Sequence, residues 1–508
     1  MNRVLIGCDG TDIEQVAAVA GRAEVSLSEE ARKAVARARE STERAVGGGK
    51  PVYGVNTGFG RLANTIIDSR KLDLLQRNLL LSHACGTGSF MDEVHVRVMM
   101  FLRVVSLARG RSGVRPETIE RMLVFLNSDI YPLVPVKGSL GASGDLAPLA
   151  HLALPLIGEG RCRRNGEIIT GREALEILGL KPLVLGAKEG LALINGTQAM
   201  TAFTAMAFLE AERLADAADC AAALSLEVLM GTDAPFREEL LALRPHPGAL
   251  RTACNVRNLL KNSRIVASHV GCDRVQDAYS LRCVPQVHGA TRDALSYVKR
   301  VISIELSSVT DNPLLMEDGS FVSGGNFHGQ PVALAADHLA IASAELANIS
   351  ERRIERLLNP DLSGLPPFLS KNPGLNSGFM IAQYTAASLV SENKVLAHPA
   401  AVDSIPVSGA QEDHVSMGTT AARQAREVVN NATYVLATEL VCAAQAAELI
   451  GSGGGHGEGT ARVYEAVRNR VAPLEEDRQF DRDIDAVARM VAGGTFSRLL
   501  AELTDQAS

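Results

Sequence analysis

The chain has 508 residues, 46% hydrophobic and 21% charged, which excludes wholesale disorder and leaves apolar material for two or three average domains or one large elongated one. Its net charge is −7, with basic and acidic residues interspersed and no Lys/Arg block, so nucleic acid is disfavoured as the main partner. The Met1–Gly7 stretch meets Cys8, Asp9 and Asp12 at once and lacks the apolar run of a secretion signal. Eight cysteines are scattered without a C-x-x-C pair, and the eleven histidines form no H-E-x-x-H or other close ligand cluster. Free thiols of a reducing compartment, a cytoplasmic location and no metal are therefore expected.

Before residue 195 the pattern is broken, with glycine and proline clustered at 47–60, 132–144 and 183–190. Loops of that kind on a rigid scaffold are where chemistry usually sits. Arg164-Asn165-Gly166-Glu167 reads as the turn of a short hairpin, as does Glu317-Asp318-Gly319-Ser320. Residues 196–231 contain no proline or internal glycine and are rich in Ala, Leu, Met and Glu, predicting one helix of roughly 50 Å. Glu210, Glu212, Arg213, Asp216, Asp219 and Glu227 interrupt its apolar face, which excludes a transmembrane span. Residues 332–358 and 419–450 behave alike. Long helices with apolar faces must bury them against one another, so the expected fold class is mainly α: a long-helix bundle with a loop-rich N-terminal region and a few short hairpins. Gly451–Gly459 lacks the preceding strand and the Lys-Ser/Thr of a phosphate loop, and predicts a flexible hinge before a charged helical tail. The regions expected are 1–195 with the chemistry, 196–450 with the long helices, and 451–508 as the tail.

The most informative segment is Gly138-Ser-Leu-Gly-Ala-Ser-Gly-Asp-Leu146, continuing to His151. In a sharply bent Ala142-Ser143-Gly144, the Gly144 nitrogen can attack the Ala142 carbonyl, which only a residue without a Cβ permits. Loss of water from that ring and then from Ser143 leaves a methylidene-imidazolone, an electrophile built from protein alone. Read without its context the triplet is a glycine-rich turn before a helix begun by Asp145.

The segment resembles the prosthetic-group signature of the aromatic amino acid ammonia-lyases. The resemblance runs over roughly residues 4–505, through Tyr53–Gly60, Ser82–Gly86, Leu193–Gly196, Gln276–Cys283, Thr310–Pro313, Ser323–His328 and Gln411–Met417. It implies a mainly helical fumarase/aspartase-type subunit assembled as a homotetramer, with each site drawing residues from more than one subunit. It also implies a small amino acid substrate and, as cofactor, 4-methylidene-imidazol-5-one formed autocatalytically from Ala142, Ser143 and Gly144, with nothing external added.

Eliminating ammonia from an α-amino acid requires removal of a weakly acidic β-proton and departure of a poor leaving group, which an electrophile at Ser143 improves. Tyr53 matches the family base; a phenol in that role needs its pKa lowered, so a dry, positively biased site is expected. Arg282 matches the arginine that clamps the substrate carboxylate, as a guanidinium fork suits. Gln276, Tyr279 and Arg282 fall roughly on one side if their segment is helical, making Tyr279 and Gln276 further contributors. Asn195 matches an oxyanion donor, Phe327 a residue packing on the substrate side chain, and Asn312, Asp145 and His328 supporting residues.

The Ser82-His83 pair, Glu412 and Met380 are those of the members that act on histidine. A histidine and a carboxylate facing one pocket suit an imidazole ring. The resemblance thus implies a carbon–nitrogen lyase converting L-histidine to trans-urocanate. His328-Gly-Gln-Pro331 also fits tyrosine 2,3-aminomutases, so a tyrosine- or phenylalanine-acting enzyme of the same fold is the alternative, which Glu412 opposes. A non-catalytic helical scaffold is the remote one, opposed by Ser143, Tyr53 and Arg282 being present together.

Overall fold

A computed structural model describes residues 3–48, 51–58, 60, 65–269, 271, 275–451 and 455–505. Helices dominate it. In chain order, those that matter for the site are α1 (Leu72–His83), α2 (Glu93–Ala108), α3 (Leu146–Ala153), α4 (Glu189–Ile194), α5 (Gln198–Val228), α6 (Tyr279–Arg282), α7 (Val284–Leu306), α8 (Gln330–Leu358), α9 (Met380–Leu396), α10 (Gly418–Leu449) and α11 (Glu458–Arg468). The three long segments predicted from composition thus fold as α5, α8 and α10, with no end shifted by more than three residues. Strands are short: β1 (Ile130–Pro132), β2 (Arg161–Arg164) and β3 (Glu167–Thr170) form one antiparallel sheet, and β4 (Leu314–Leu315) pairs with β5 (Phe321–Val322).

Both expected hairpins are present. Between β2 and β3 the two loop residues, Asn165 and Gly166, have φ of 49° and 85°, the left-handed pair of a type I′ turn that matches strand twist. Gly319 has φ of 82° in the turn between β4 and β5.

The chain divides into two compact units that interleave along the sequence. The first holds Met1–Met206, Arg300–Asp337 and Pro399–Arg423; the second holds Ala207–Lys299, His338–His398 and Gln424–Ser508. In the first, every residue of α2 from His95 to Ala108 is buried, including Arg97 and Arg103. Arg97 is tolerated there because its guanidinium donates to the carbonyls of Val19, Ala23 and Leu126.

In the second unit a buried polar network crosslinks four helices. Arg353 on α8 makes a two-pronged pair with Glu439 on α10, at 2.6 and 2.8 Å. Glu439 also accepts from Ser225 on α5 and from Ser350. His288 on α7 meets Asp219 on α5 at 2.8 Å, and Arg292 donates to the same carboxylate at 2.6 Å. Arg353, Glu439, His288 and Asp219 are all excluded from solvent. The desolvation cost of such charges is offset only in one register of the helices.

The expected hinge is corrected by the structure over residues 455–459; residues 452–454 lie outside those described. The Gly455 carbonyl accepts from the amides of Arg264 and Ile265, and the buried Glu227 carboxylate accepts from Gly457 N and meets His456 Nδ1 at 2.7 Å. A Cβ on Gly457 would sit 2.6 Å from the Leu259 carbonyl oxygen, and one on Gly459 would sit 2.6 Å from Leu259 Cα. These glycines permit close backbone approach rather than freedom of movement.

Candidate active site

The Ala142-Ser143-Gly144 turn crosses the segment that joins α4 to α5. Gly144 has φ of 71° and bridges Gly196, and an added Cβ would fall 2.2 Å from the Gly196 carbonyl oxygen. Glycine is therefore required twice over, by backbone conformation and by contact. Asp145 N donates to that carbonyl at 2.6 Å. On the other side, Asn195 Nδ2 donates to the Ser143 carbonyl at 2.8 Å and to Ser143 Oγ at 2.7 Å.

Asp145 is the N-cap residue of α3, but its side chain makes no capping hydrogen bond there. Its carboxylate instead accepts from Met200 N in the first turn of α5 at 2.8 Å, from Ser139 Oγ at 2.9 Å and from Thr419 Oγ1. Burial pushes this carboxyl up, while the hydrogen bonds from Thr419, Met200 and Ser139 pull it down. A buried acid thus caps a long helix from a distant segment and ties the turn to two helix starts.

Behind Asn195 lies Arg103, fully buried, donating from Nη1 to the Asn195 carbonyl at 2.7 Å and to Gln198 Oε1 at 2.9 Å. Burial lowers its pKa to about 10. A Cβ on Gly196 would come within 2.5 Å of Arg103 Nη1, which explains that glycine. Nearby in the same unit, Lys188 and Asp311 form a fully buried ion pair at 2.8 Å. Sequence reading passed over both cations, although Arg103 interrupts an otherwise apolar run of α2, and that interruption is the signal that would have found it.

Two cavities flank the turn. One of about 500 Å³ is lined by Tyr53, Gly60, Ser82, His83, Ser143 and Glu412, among others. The second, of about 230 Å³, is bounded by Ala142, Gly144, Cys85 and again Ser82, His83 and Glu412. The structure therefore brings Tyr53, His83, Ala142, Ser143, Gly144 and Glu412 to one place, with Asn195 on the turn's far side.

Tyr53 sits on a loop closed by Asn56, whose side chain accepts from Val52 N at 2.7 Å, and Val55 anchors the loop in a small apolar cluster with Leu72 and Ala187. Its hydroxyl accepts from Gly60 N at 3.2 Å. The expected depression of the phenol pKa is not found. Burial raises it, the Gly60 amide lowers it, and the Glu412 carboxylate raises it further. The charge beside this phenol has the wrong sign to depress it.

Glu412 follows a loop in which Ser408, Gly409 and Ala410 all have positive φ, of 55°, 63° and 65°. Two non-glycine residues held there store strain beside the cavity. Burial raises the Glu412 carboxyl pKa and lowers that of the His83 imidazole.

The other candidates lie elsewhere. Phe327 is on the turn before α8 in the first unit and lines neither cavity. His328 stacks on His414 at 5.8 Å. Gln276, Tyr279, Arg282 and Met380 belong to the second unit. The shared helical face expected for the first three is corrected: only Tyr279–Arg282 is helical, because Asp277 is held by Thr232 N and Ala278 is extended. Tyr279 is 70% exposed with the Arg282 guanidinium 4.5 Å over its ring, and Arg282 Nε is buried without a partner among the described residues. Met380 opens α9.

A sequence profile of aromatic amino acid lyases matches residues 11–469. Histidine ammonia-lyase of Symbiobacterium thermophilum is 54% identical over 495 residues, 97% of each chain. The chain belongs to the aromatic amino acid lyase family. It is a carbon–nitrogen lyase. Among solved structures, histidine ammonia-lyase from Trypanosoma cruzi superposes with a TM-score of 0.91 at 43% identity, over 99% of this chain and 95% of that one. Tyrosine aminomutase from Streptomyces globisporus superposes with a TM-score of 0.93 at 40% identity, over 98% of both. This lyase thus shares its fold with a histidine ammonia-lyase and with a tyrosine aminomutase.

Proposed function

We propose that this lyase eliminates ammonia from L-histidine to give trans-urocanate. The observation that carries the reading is that His83 and Glu412 line both cavities beside Ala142-Ser143-Gly144. An imidazole side chain can exchange hydrogen bonds with each, which a phenyl ring cannot. The relatives named for histidine support it. Gln330, in the stretch that also fits tyrosine aminomutases, donates from Nε2 to the Ala401 carbonyl and lines neither cavity, so that departure does not reach the pocket.

The residues present fit a methylidene-imidazolone at 142–144: the Gly144 cradle excludes any Cβ, and Asn195 Nδ2 already points at Ser143. Such a group supplies an electrophile that turns the substrate amine into a better leaving group. Asn195 donates where negative charge would develop, with Arg103 holding its main chain. In this reading Tyr53 takes the β-proton, while Arg282, Gln276, Tyr279, Phe327 and Met380, which line neither cavity of their own chain, come from neighbouring chains to clamp the substrate carboxylate and complete the pocket. The reading includes a cytoplasmic homotetramer in which one site is built from several chains. Its support is apolar surface on second-unit segments, with Val275, Leu375 and Val395 at 94%, 86% and 72% exposure, and Ile304 at 67% in the first. A fully active monomer on sizing would remove that part of the reading. Among the described residues only α8 is long and apolar enough to cross a membrane, and 61% of its apolar window is buried in the protein, as in a core helix.

Ultraviolet absorbance of a conjugated product, followed with histidine, tyrosine and phenylalanine in turn, tests the substrate. Absorbance is expected with histidine, and growth with tyrosine alone would overturn the assignment. Glu412→Gln is expected to lower kcat/KM for histidine about a hundredfold, the worth of one charge-assisted hydrogen bond. A variant that melts lower with an unchanged histidine/tyrosine ratio would make Glu412 a structural group instead.

The raised Tyr53 pKa carries a sign. Below it the phenolate fraction grows about tenfold per pH unit, so turnover limited by this base rises from neutral into alkaline pH. Tyr53→Phe is expected to flatten that limb and to lose most activity; a profile that keeps its alkaline rise in the variant would assign the base elsewhere.

A further inference from the structure

Ser82 and His83 close α1, one turn beyond Leu79. Ser82 Oγ donates to the Leu79 carbonyl at 3.2 Å and lies 3.0 Å from His83 Nδ1. A hydroxyl has one hydrogen, and a carbonyl can only accept. With that hydrogen given to Leu79, Ser82 presents a lone pair to the imidazole, the arrangement in which Nδ1 carries the proton. The Leu79 carbonyl also acts on the ring, favouring its protonated form, although burial is the larger influence and favours the neutral ring. A neutral imidazole with Nδ1–H has a bare Nε2, on the side of the ring away from the groups that Nδ1 engages. No hydrogen bond from Nε2 to the described residues is formed. His83 borders both cavities, with the Glu412 carboxylate as the other polar wall.

We infer that Ser82 is a positioning residue for specificity: it locks His83 in the Nδ1–H tautomer, so that the pocket offers Nε2 as an acceptor and selects a side chain that brings an N–H donor to it. This rests on the histidine reading of the site. With an acceptor at His83 and a carboxylate at Glu412, the chemistry recognised is a ring with its N–H groups free. Imidazoles methylated on the nitrogen that faces His83, and plain phenyl rings, leave Nε2 unpaired on binding, which is costly for a desolvated acceptor.

Two measurements test this. Magic-angle-spinning NMR of the free protein carrying ring-15N histidine, with the His83 signals assigned by difference against His83→Gln, is expected to show Nδ1 protonated and Nε2 bare. Ser82→Ala is expected to give mixed tautomers, and Ser82→Thr, which keeps the hydroxyl, to restore one. In kinetics, Ser82→Ala is expected to raise KM for histidine about five- to tenfold with kcat changed little, to narrow the preference for histidine over its two ring-N-methyl derivatives, and to be rescued by Ser82→Thr. A protonated Nε2 in the unmodified protein would overturn the inference, as would an Ser82→Ala variant with unchanged tautomer and KM. The spectrum needs no substrate, so a protein that ignores histidine would end the substrate reading while the tautomer is still decided by NMR.

Discussion

Ser143→Ala is expected to lower ammonia release by at least about a thousandfold, because it removes the atom from which the electrophile would be made. The loss should come without unfolding. Ser143 Oγ meets only Asn195 Nδ2 among the hydrogen bonds described, whereas the turn is held by Gly144 against Gly196 and by Asp145 against Met200, Ser139 and Thr419. Intact-protein mass is the second measurement. The active chain should fall short of its sequence mass by two waters, one from ring closure and one from Ser143, while the alanine variant can lose at most the first. Full sequence mass together with normal activity would show that no such group forms.

Arg353→Met is expected to cost about 3–5 kcal/mol of stability, because it strands the Glu439 carboxylate in a site with no solvent access. Ser225 and Ser350 would still donate to it, but two neutral hydrogen bonds do not replace a guanidinium that grips both oxygens. Replacing both partners, as Arg353→Met with Glu439→Leu, should recover most of the loss, since the desolvation cost disappears with the charge. Chemical denaturation of the single and double variants checks this. Equal loss in both would mean that packing, rather than the stranded charge, sets the penalty. Ser143→Ala removes none of these hydrogen bonds and should leave the denaturation midpoint near that of the parent chain.

The two variants probe different layers of information. Composition alone announced α5, α8 and α10, since long runs of Ala, Leu, Met and Glu without proline have few alternatives to helix. The hairpin at Asn165-Gly166 was equally legible, because few residue pairs accept two consecutive left-handed conformations. Glycine was the ambiguous letter. Gly455–Gly459 reads like a linker, yet it is a packed seam; a missing Cβ serves freedom and close approach alike, and only the neighbours at Leu259 and Leu260 decide which.

The reaction class was readable from one fourteen-residue segment and the motifs that accompany it, because the signature triplet is made of consecutive residues. The sequence by itself also determined the helical class of the fold, because helix propensity and apolar periodicity are local properties. Whatever depends on residues distant in the chain was settled by folding alone. The Asp145 side chain turns out to cap α5 rather than its own helix, and Arg103 stands behind Asn195. Burial and Glu412 raise the Tyr53 phenol, where the residue's role alone suggested a lowered pKa. The two compact units are interleaved rather than consecutive. The placing of Asp145 and Arg103 and the shift at Tyr53 depend on desolvation and on charge brought close by folding, and neither has any signature in the order of neighbouring residues.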